Sequence, residues 1–386
     1  MPSSGSRTPD HEAFASSVRS FARKELADGA LARAHDPAFS FDTAQLLARQ
    51  GLLGLTVREA DGGQGASLLD AVIAIQELGQ VCPKSADIVQ AGNFGPVRTF
   101  AEYASSEQKE RFLPDLLAGR IVMSLGMSEP DAGSAATDLT TTARPDGDDW
   151  IIDGRKLWGT HSVDASVFLV YVRFGPGVGG IGSVLVERGT PGFEVGPASE
   201  YMSGEQWAPL FFDGCRIPAA NVLLGAGGFK KQITGFNVER LGNSARSLAL
   251  GRLAMSIARD HALTREQFGR PLAEFQGLQW KFAEMAVALD GAQLLLERAA
   301  AGADEGLPSP YDTTVAKLAA NQAGFLAANE SLQVMGAMGY STETLVEYCM
   351  RRTRGWMIAG GSIEILKNRI AEHVFDRKFD QRPPRG

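Results

Sequence analysis

The chain has 386 residues, 44% of them hydrophobic and 22% charged, with a net charge of −7. That length exceeds what one hydrophobic core usually serves, so two or three packed units are expected. The acidic balance excludes a nucleic-acid surface, which needs a basic footprint, and the densest cationic run (Arg351, Arg352, Arg354) is short.

The first residues, MPSSGSRTPDHEAF, lack the apolar core of a secretory signal. They are also too acidic and too poor in Arg for an organellar transit peptide, which points to the cytoplasm. From about Asp10 to Gly119 the pattern is helical. In LLDAVIAIQELGQV, residues Leu69, Val72, Ile73 and Leu78 fall close to one face at a spacing near 3.6. Clusters such as ADGGQGAS break this region into several helices.

After about Ile121 short β-branched or aromatic runs alternate with Gly-rich turns: DWIIDGRKLWGT, SVFLVYVRF, GSVLVERGT, GFEVG and LFFDGCRIP. This predicts an antiparallel sheet unit or small barrel. Within it GVGGIG, Gly177 to Gly182, matches a dinucleotide fingerprint literally. The following GSVLVERG reads as a strand where such a fold needs a helix, so the expected structure is a hairpin turn. From about Gly228 to His373 long helical patterns return, with Phe282, Met285, Ala286 and Leu289 marking a buried face. The tail DRKFDQRPPRG is expected to fray. The predicted class is α+β, mainly α, in three domains: 1–120 helical, 121–227 β and 228–386 a helical bundle.

Three cysteines without a CxxC pair suit a reducing compartment, and five histidines without an HExxH spacing give a metal site no support. No apolar stretch approaches the roughly 20 residues that span a bilayer.

Three segments carry chemical signal. In MSLGMSEPDAGSAATDL, Ser128 and Ser134 bracket the turn EPDAG, offering hydroxyls and backbone amides to an anionic or polar cofactor; by itself this is also simply a turn. In DGRKLWGTHS, Trp158 and Thr160 sit two apart, as on one strand face, where an aromatic plane beside a hydroxyl suits a flavin ring or plain core packing. TREQFGRPLAEFQGLQWKFAEM reads as a polar turn between two long helices.

Together with QVMGAMGYSTETLVEYCMRRTRGWMIAGGSIEI and FNVERLGNSARSLALG, and in this order, these segments resemble the acyl-CoA dehydrogenase family over about Phe14 to Val374. The resemblance implies a helical N-terminal domain, a middle β domain and a C-terminal four-helix domain. It further implies FAD held between subunits of a homo-oligomer (a dimer of dimers), an acyl-CoA or carrier-bound acyl thioester as substrate, and an electron-transfer flavoprotein as acceptor. It makes Ser128 a flavin-ring contact and Ser134 a contact to pyrophosphate or thioester ligand, with Trp158 and Thr160 beside the isoalloxazine. It assigns Arg265, Gln267, Phe268 and Gln276 to the turn that grips the adenine-side half of FAD from the neighbouring subunit. Gln333, Gly336 and Ala337 match a second gripping segment, and Ser362 and Glu364 the polar residues after the Gly-rich loop.

Dehydrogenation between Cα and Cβ needs a base for the α-proton while a hydride leaves Cβ for flavin N5. In the commonest family pattern a glutamate precedes a Gly-Thr-type pair near the C-terminus; here that position is Gly360. The pattern similar to isovaleryl- and long-chain acyl-CoA dehydrogenases instead implies Glu239 as base, with Arg240 and Asn237 beside it. The Gly360–Gly361 backbone then supplies the donor to the substrate carbonyl. Read without the resemblance, Asn237 caps a helix and Glu239 sits in its first turn, where the dipole welcomes a carboxylate. Arg352 and Ile363 depart from the family pattern, which usually has an acidic and a small polar residue there. Rivals on the same scaffold are a desulfinase-like lyase, a flavin oxidase or monooxygenase, and a flavin-binding partner subunit without chemistry. REQFGRPLAEFQGLQW and IAGG look close to 3-sulfinopropionyl-CoA desulfinases, but those lack a carboxylate base, and an Arg tied to their sulfinate falls near Asp87.

Overall fold

The computed structural model describes residues 7–303 and 307–381. Seven helices form the N-terminal unit: α1 (Pro9–Glu25), α2 (Ala30–His35), α3 (Phe41–Arg49), α4 (Leu68–Gly79), α5 (Pro83–Asn93), α6 (Gly95–Tyr103) and α7 (Ser106–Leu117). Their starts are encoded locally. Ser67 accepts from the Asp70 amide while the Asp70 carboxylate accepts from the Ser67 amide, and Ser105 with Gln108 repeats the box on α7. The one-face reading of α4 was too modest. Every residue from Leu68 to Gly79 except Asp70 is buried, because α4 packs against α1, α5, α8 and α9 at once.

The middle unit contains β1 (Met123–Gly126), β2 (Thr142–Asp146), β3 (Asp149–Lys156), β4 (Val167–Arg173), β5 (Ile181–Glu187), β6 (Phe193–Val195), β7 (Ser199–Glu200), β8 (Gln206–Trp207), β9 (Leu210–Pro218) and β10 (Val222–Leu224). The main sheet runs β10-β5-β4-β2-β3-β9-β6, with β1 on β4. It is antiparallel except where β1 and β2 meet β4, so the purely antiparallel expectation needs correcting there. Gly177 opens a short turn into β5, which pairs antiparallel with β4; GVGGIG is a connection between strands.

The C-terminal unit comprises α8 (Phe229–Thr264), the small hairpin β11 (Glu266–Gln267) and β12 (Arg270–Pro271), α9 (Gln276–Ala301), α10 (Pro310–Met335), α11 (Ala337–Tyr340), α12 (Leu345–Trp356) and α13 (Ile363–Val374). Helices α8 and α10 run side by side in the same direction. Arg240 donates to Thr314, Asn321 to Asn243 and Ser247 to the Ala320 carbonyl. Gly324 permits the approach, since a Cβ there would stand 2.4 Å from the Ser247 carbonyl oxygen. Met285 and Leu289 of α9 are fully buried, with Phe282 and Ala286 half-buried beside them. Among the described residues no helix is long and apolar enough to cross a membrane.

Candidate functional site

Helix α8 begins at Phe229, about three turns before Glu239. The helix-start reading is therefore overturned: Asn237 caps nothing and Glu239 gains no first-turn dipole. Asn237 is buried, and its Oδ1 accepts from Arg240 at 3.1 Å. The Arg240 guanidinium also donates to Thr314 at 3.1 Å, and burial pushes its pKa below the usual arginine value.

The Glu239 carboxylate points out of α8 between α5 and the loop before α13. Its Oε1 accepts from Gln90 Nε2 at 3.3 Å and lies 3.8 Å from the Arg246 guanidinium. Its Oε2 is buried and has no hydrogen-bond partner among the described residues. Facing it is Gly360, with φ +69°, where a Cβ would stand 3.0 Å from Oε2. The loop is held from beneath by Lys317, whose ammonium donates to Asn321 Oδ1 (2.9 Å), the Gly361 carbonyl (3.0 Å) and the Trp356 carbonyl (3.1 Å). Burial pushes Lys317 down to about 8, partly offset by the Glu239 charge. Ser362 caps α13, and Glu364 lies exposed in its first turn.

A charged wall continues from Glu239. Arg246 donates to Asp87 at 2.9 Å and Arg352 to the other Asp87 oxygen at 2.8 Å, while Arg352 also pairs with Glu205. Both guanidiniums lie over the Trp356 ring, 4.8 and 4.9 Å from its centroid. Burial works against the Asp87 charge, but the two guanidiniums outweigh it and hold its carboxyl below the ordinary range. Where the sequence places Asp87 near the position of the desulfinases' sulfinate-linked Arg, the structure sets two arginines, Arg246 and Arg352, against that carboxylate. Gln90, Arg246 and Lys317 were missed by sequence reasoning. Two of them carried a signal, since Gln90 stands three positions from Asp87 and Arg246 seven from Glu239, each pair on one helix face.

The second half of the site is built on the β unit. Trp158 and Thr160 do not share a strand face, because β3 ends at Lys156 and Trp158 takes a left-handed φ of +63°. The loop is stitched in place instead: the Leu157 amide donates to the Ser128 carbonyl at 2.9 Å, and Ser124 Oγ donates to the Thr160 carbonyl at 2.8 Å. Ser128 thus neighbours Trp158, which is 53% exposed and leans on Trp207 with ring centroids 4.1 Å apart. Below them Glu129 pins the EPDAG turn. It accepts from Thr140 N and Oγ1, from Thr141 N, and from the fully buried Lys156 at 2.7 Å. The pinned turn leaves Ser134 exposed and Gly133 with open space around it. Beside Thr160, burial pushes His161 down to about 4, and Asp87, Lys84, Arg352 and Arg246 act on the same ring.

An exposed aromatic face, three hydroxyls and a rigidly held turn with free amides fit an isoalloxazine and its pyrophosphate, so these residues are compatible with FAD. The remaining predicted contacts lie elsewhere. Arg265 and Gln267 follow the far end of α8, about 37 Å along the axis from Glu239. Gln333, Gly336 and Ala337 end α10 on that same side, where Ala262, Leu272, Leu278 and Met335 share one apolar cluster. Phe268 is 94% exposed at φ +53°, and Arg265, Gln276, Gln333 and Ala337 are also exposed. One copy of the chain does not bring the two groups together.

Three family models match: the acyl-CoA dehydrogenase N-terminal domain over residues 8–120, the middle domain over 124–215 and the C-terminal domain over 226–375. A 3-sulfinopropanoyl-CoA desulfinase of Paraburkholderia xenovorans is 34% identical, covering 95% of this chain and 96% of its own. The mitochondrial short-chain specific acyl-CoA dehydrogenase of Mus musculus is 33% identical, covering 94% and 90%. The structure of a glutaryl-CoA dehydrogenase from Mycobacterium smegmatis in complex with FADH2 superposes with a TM-score of 0.91 at 25% identity, covering 97% of each chain.

Proposed function

The chain belongs to the acyl-CoA dehydrogenase family, and on that premise we propose that it dehydrogenates an acyl-CoA thioester between Cα and Cβ with Glu239 as the base. The observation that carries this is the buried Glu239 Oε2, which has no hydrogen-bond partner among the described residues and faces Gly360. A carboxylate oxygen left without a donor is an acceptor for a proton, and the absence of a side chain at position 360 leaves room for a thioester α-carbon beside it.

FAD, when bound, supplies the two-electron acceptor for the hydride that leaves Cβ. Ser128, Ser134, Trp158 and Thr160 would hold it from one copy. Arg265, Gln267, Phe268, Gln276, Gln333, Gly336 and Ala337 would do so from a second. Gln90 and Arg246 fix Glu239 Oε1, leaving Oε2 to take the α-proton. The Gly360 amide, in the loop clamped by Lys317, serves as donor to the thioester carbonyl and stabilises the charge that develops there. Arg240 holds the first turns of α10 against α8 beneath the base.

A second copy is also suggested by α9, where Trp280, Val287 and Leu294 recur every seven residues and are 60%, 76% and 58% exposed. We place domain boundaries at 120/121 and 227/228, the assembly as a homotetramer, the acceptor as an electron-transfer flavoprotein, and the setting as cytoplasmic, in keeping with three free buried thiols. A second reading, a lyase acting on a sulfinate thioester, is favoured by the desulfinase likeness and by the arginines around Asp87. The carboxylate at Glu239 speaks against it.

The test is anaerobic flavin reduction by a panel of acyl-CoAs. Glu239→Gln should slow the rate by about 10²- to 10⁴-fold at unchanged FAD content. An unchanged rate removes Glu239 as base, and sulfite release from a sulfinate thioester without flavin bleaching favours the lyase.

A further inference from the structure

The wall that begins at Glu239 is unusual for a site meant to take a hydrocarbon tail. Asp87, Arg246 and Arg352 are exposed by only 4%, 7% and 6%, and they sit against the proposed base rather than across the molecule from it. Two helices contribute. Asp87 and Gln90 share one face of α5, and Glu239 and Arg246 share one face of α8, so both faces reach Glu239 Oε1 and Asp87 together. The wall also approaches the proposed flavin loop. Lys84 and Glu205 line a small cavity of about 10 Å³ with Thr160, His161, Asp164 and Tyr201.

The ionic bookkeeping around the base is not closed. Arg240, Arg246, Arg352 and Lys317 supply four cations, and Asp87, Glu205 and Glu239 three carboxylates. Lys84 draws on the same Asp87 first, ahead of Asp36 and Asp164, and so adds no free carboxylate to the wall. The hydrogen bonding is not closed either. Nε of Arg246 and Nε of Arg352 are buried donors without a partner among the described residues. Buried donors left unpaired are costly, and an excess positive charge in a dry site is more so. A methyl-ended chain beside them relieves neither, whereas an oxyanion relieves both.

We propose that the Arg246–Asp87–Arg352 wall is the subsite for the far end of the acyl group, and that the substrate is a short acyl thioester ending in an oxyanion such as a carboxylate. The assignment rests on the reading of Glu239 as the place where the thioester α-carbon sits. Arg246 spans both, 3.8 Å from Glu239 and 2.9 Å from Asp87, so the acyl group can be only a few carbons long before its end meets a guanidinium. Asp87 then has a defined part. It spaces the two guanidiniums and sets how many donors remain for the substrate.

Binding of the unsaturated products separates this proposal from the catalytic one, because a product needs no turnover and leaves every charge of the natural site in place. The FAD-loaded oxidised enzyme is titrated calorimetrically with fumaryl-CoA and glutaconyl-CoA. The comparison pair is 4-methylpent-2-enoyl-CoA and 5-methylhex-2-enoyl-CoA, in which an isopropyl group, equally branched and close in size, replaces the carboxylate. At one of the two lengths the carboxylate-ended ligand should bind about 10- to 100-fold more tightly, the range expected for hydrogen bonds to a charged donor. Equal or tighter binding of the isopropyl-ended ligands at both lengths overturns the proposal, whatever the flavin does. A carboxylate preference with no flavin bleaching by the saturated thioesters upholds the subsite and sinks the dehydrogenase reading instead. The double variant Asp87→Asn with Arg246→Gln removes one charge of each sign and should erase the preference. A preference that survives in it takes Arg246 out of the subsite. If the variant does not fold, the four titrations of the unaltered enzyme decide alone.

Discussion

Glu239 and Gly360 meet so closely that a Cβ on residue 360 would stand 3.0 Å from Glu239 Oε2 and 3.4 Å from Lys317 Cε. Helix α8 and the loop before α13 are therefore fitted to each other at one atom. A carboxylate arrives from one side, and the other side withholds a side chain.

Gly360→Ala tests that fit. The new methyl meets the carboxylate, and φ of +69° adds backbone strain of about 1–2 kcal/mol for a residue with a Cβ. Flavin reduction should slow by at least about tenfold while FAD content and the circular-dichroism spectrum stay as in the parent. A rate within twofold of the parent would mean that the loop and the base do not act on one substrate.

Lys317 gives the site a pH dependence of a recognisable kind. Its ammonium spends three donors on Asn321, Gly361 and Trp356, and the charges that face it are Glu239, Arg240 and Arg246. Burial lowers it to about 8, so raising the pH through 8 removes one donor from the loop clamp. A folded pKa below the 10.5 of a free lysine means that the unfolded chain binds the proton more tightly between 8 and 10.5, so this residue's contribution to stability rises with pH across that window. The rate of flavin reduction should therefore fall above pH 8 with no accompanying fall in Tm due to this group. Lys317→Met should be slow at every pH and lack that limb, and Lys317→Arg should move the limb beyond the measurable range. A limb near 8 that persists in Lys317→Met belongs to another residue.

Much of this was legible beforehand, and the failures have physical reasons. The α-β-α order followed from hydrophobic period and turn residues, which are local. The loop Trp158–Thr160 misled because a two-residue spacing implies a shared face only inside a strand, and the left-handed turn at Trp158 lies just past the end of β3. Asn237 looked like a helix cap because capping chemistry is also local, whereas α8 is prolonged toward its N-terminus to Phe229 by packing against α6. The arginines around Asp87 come from positions 246 and 352, and no periodicity links position 87 to either.

The Glu129–Lys156 pair supplies a stability prediction. Burial works against both charges. Pairing with Lys156 and the Thr140 and Thr141 donors wins for Glu129, which is held at about 2, while burial wins for Lys156, lowered to about 8. A carboxylate lowered in the folded state contributes stability that is present above its unfolded pKa and lost as pH falls through the folded one, so the window here runs from about 4.5 down to 2. Glu129→Gln should cost about 3–5 kcal/mol at neutral pH by leaving Lys156 buried and unpaired. It should also flatten the acid limb of a Tm-against-pH curve between those two values. An unaltered acid limb would assign the acid sensitivity to other carboxylates.

The last prediction concerns the two exposed features of the C-terminal unit, which one chain cannot use by itself. Phe268 is a bulky residue at positive φ, almost fully exposed with its ring edge-on to Phe275, and such a conformation points to a use outside the single chain. Trp280, Val287 and Leu294 form a stripe down α9 that a second copy would cover. If the stripe joins two copies and the hairpin reaches the flavin of the partner, the two substitutions should fail in different ways. Val287→Glu places a charge in the joint, so sedimentation should show smaller species that also lose FAD on dilution. Phe268→Ala leaves the joint alone, so the assembly should keep its size while FAD dissociates about tenfold faster. Loss of FAD in Phe268→Ala only together with loss of the assembly would make the hairpin part of the joint. Retention of FAD in both variants would mean that a single chain holds the cofactor, and the residues at the far end of α8 would then have no part in binding it.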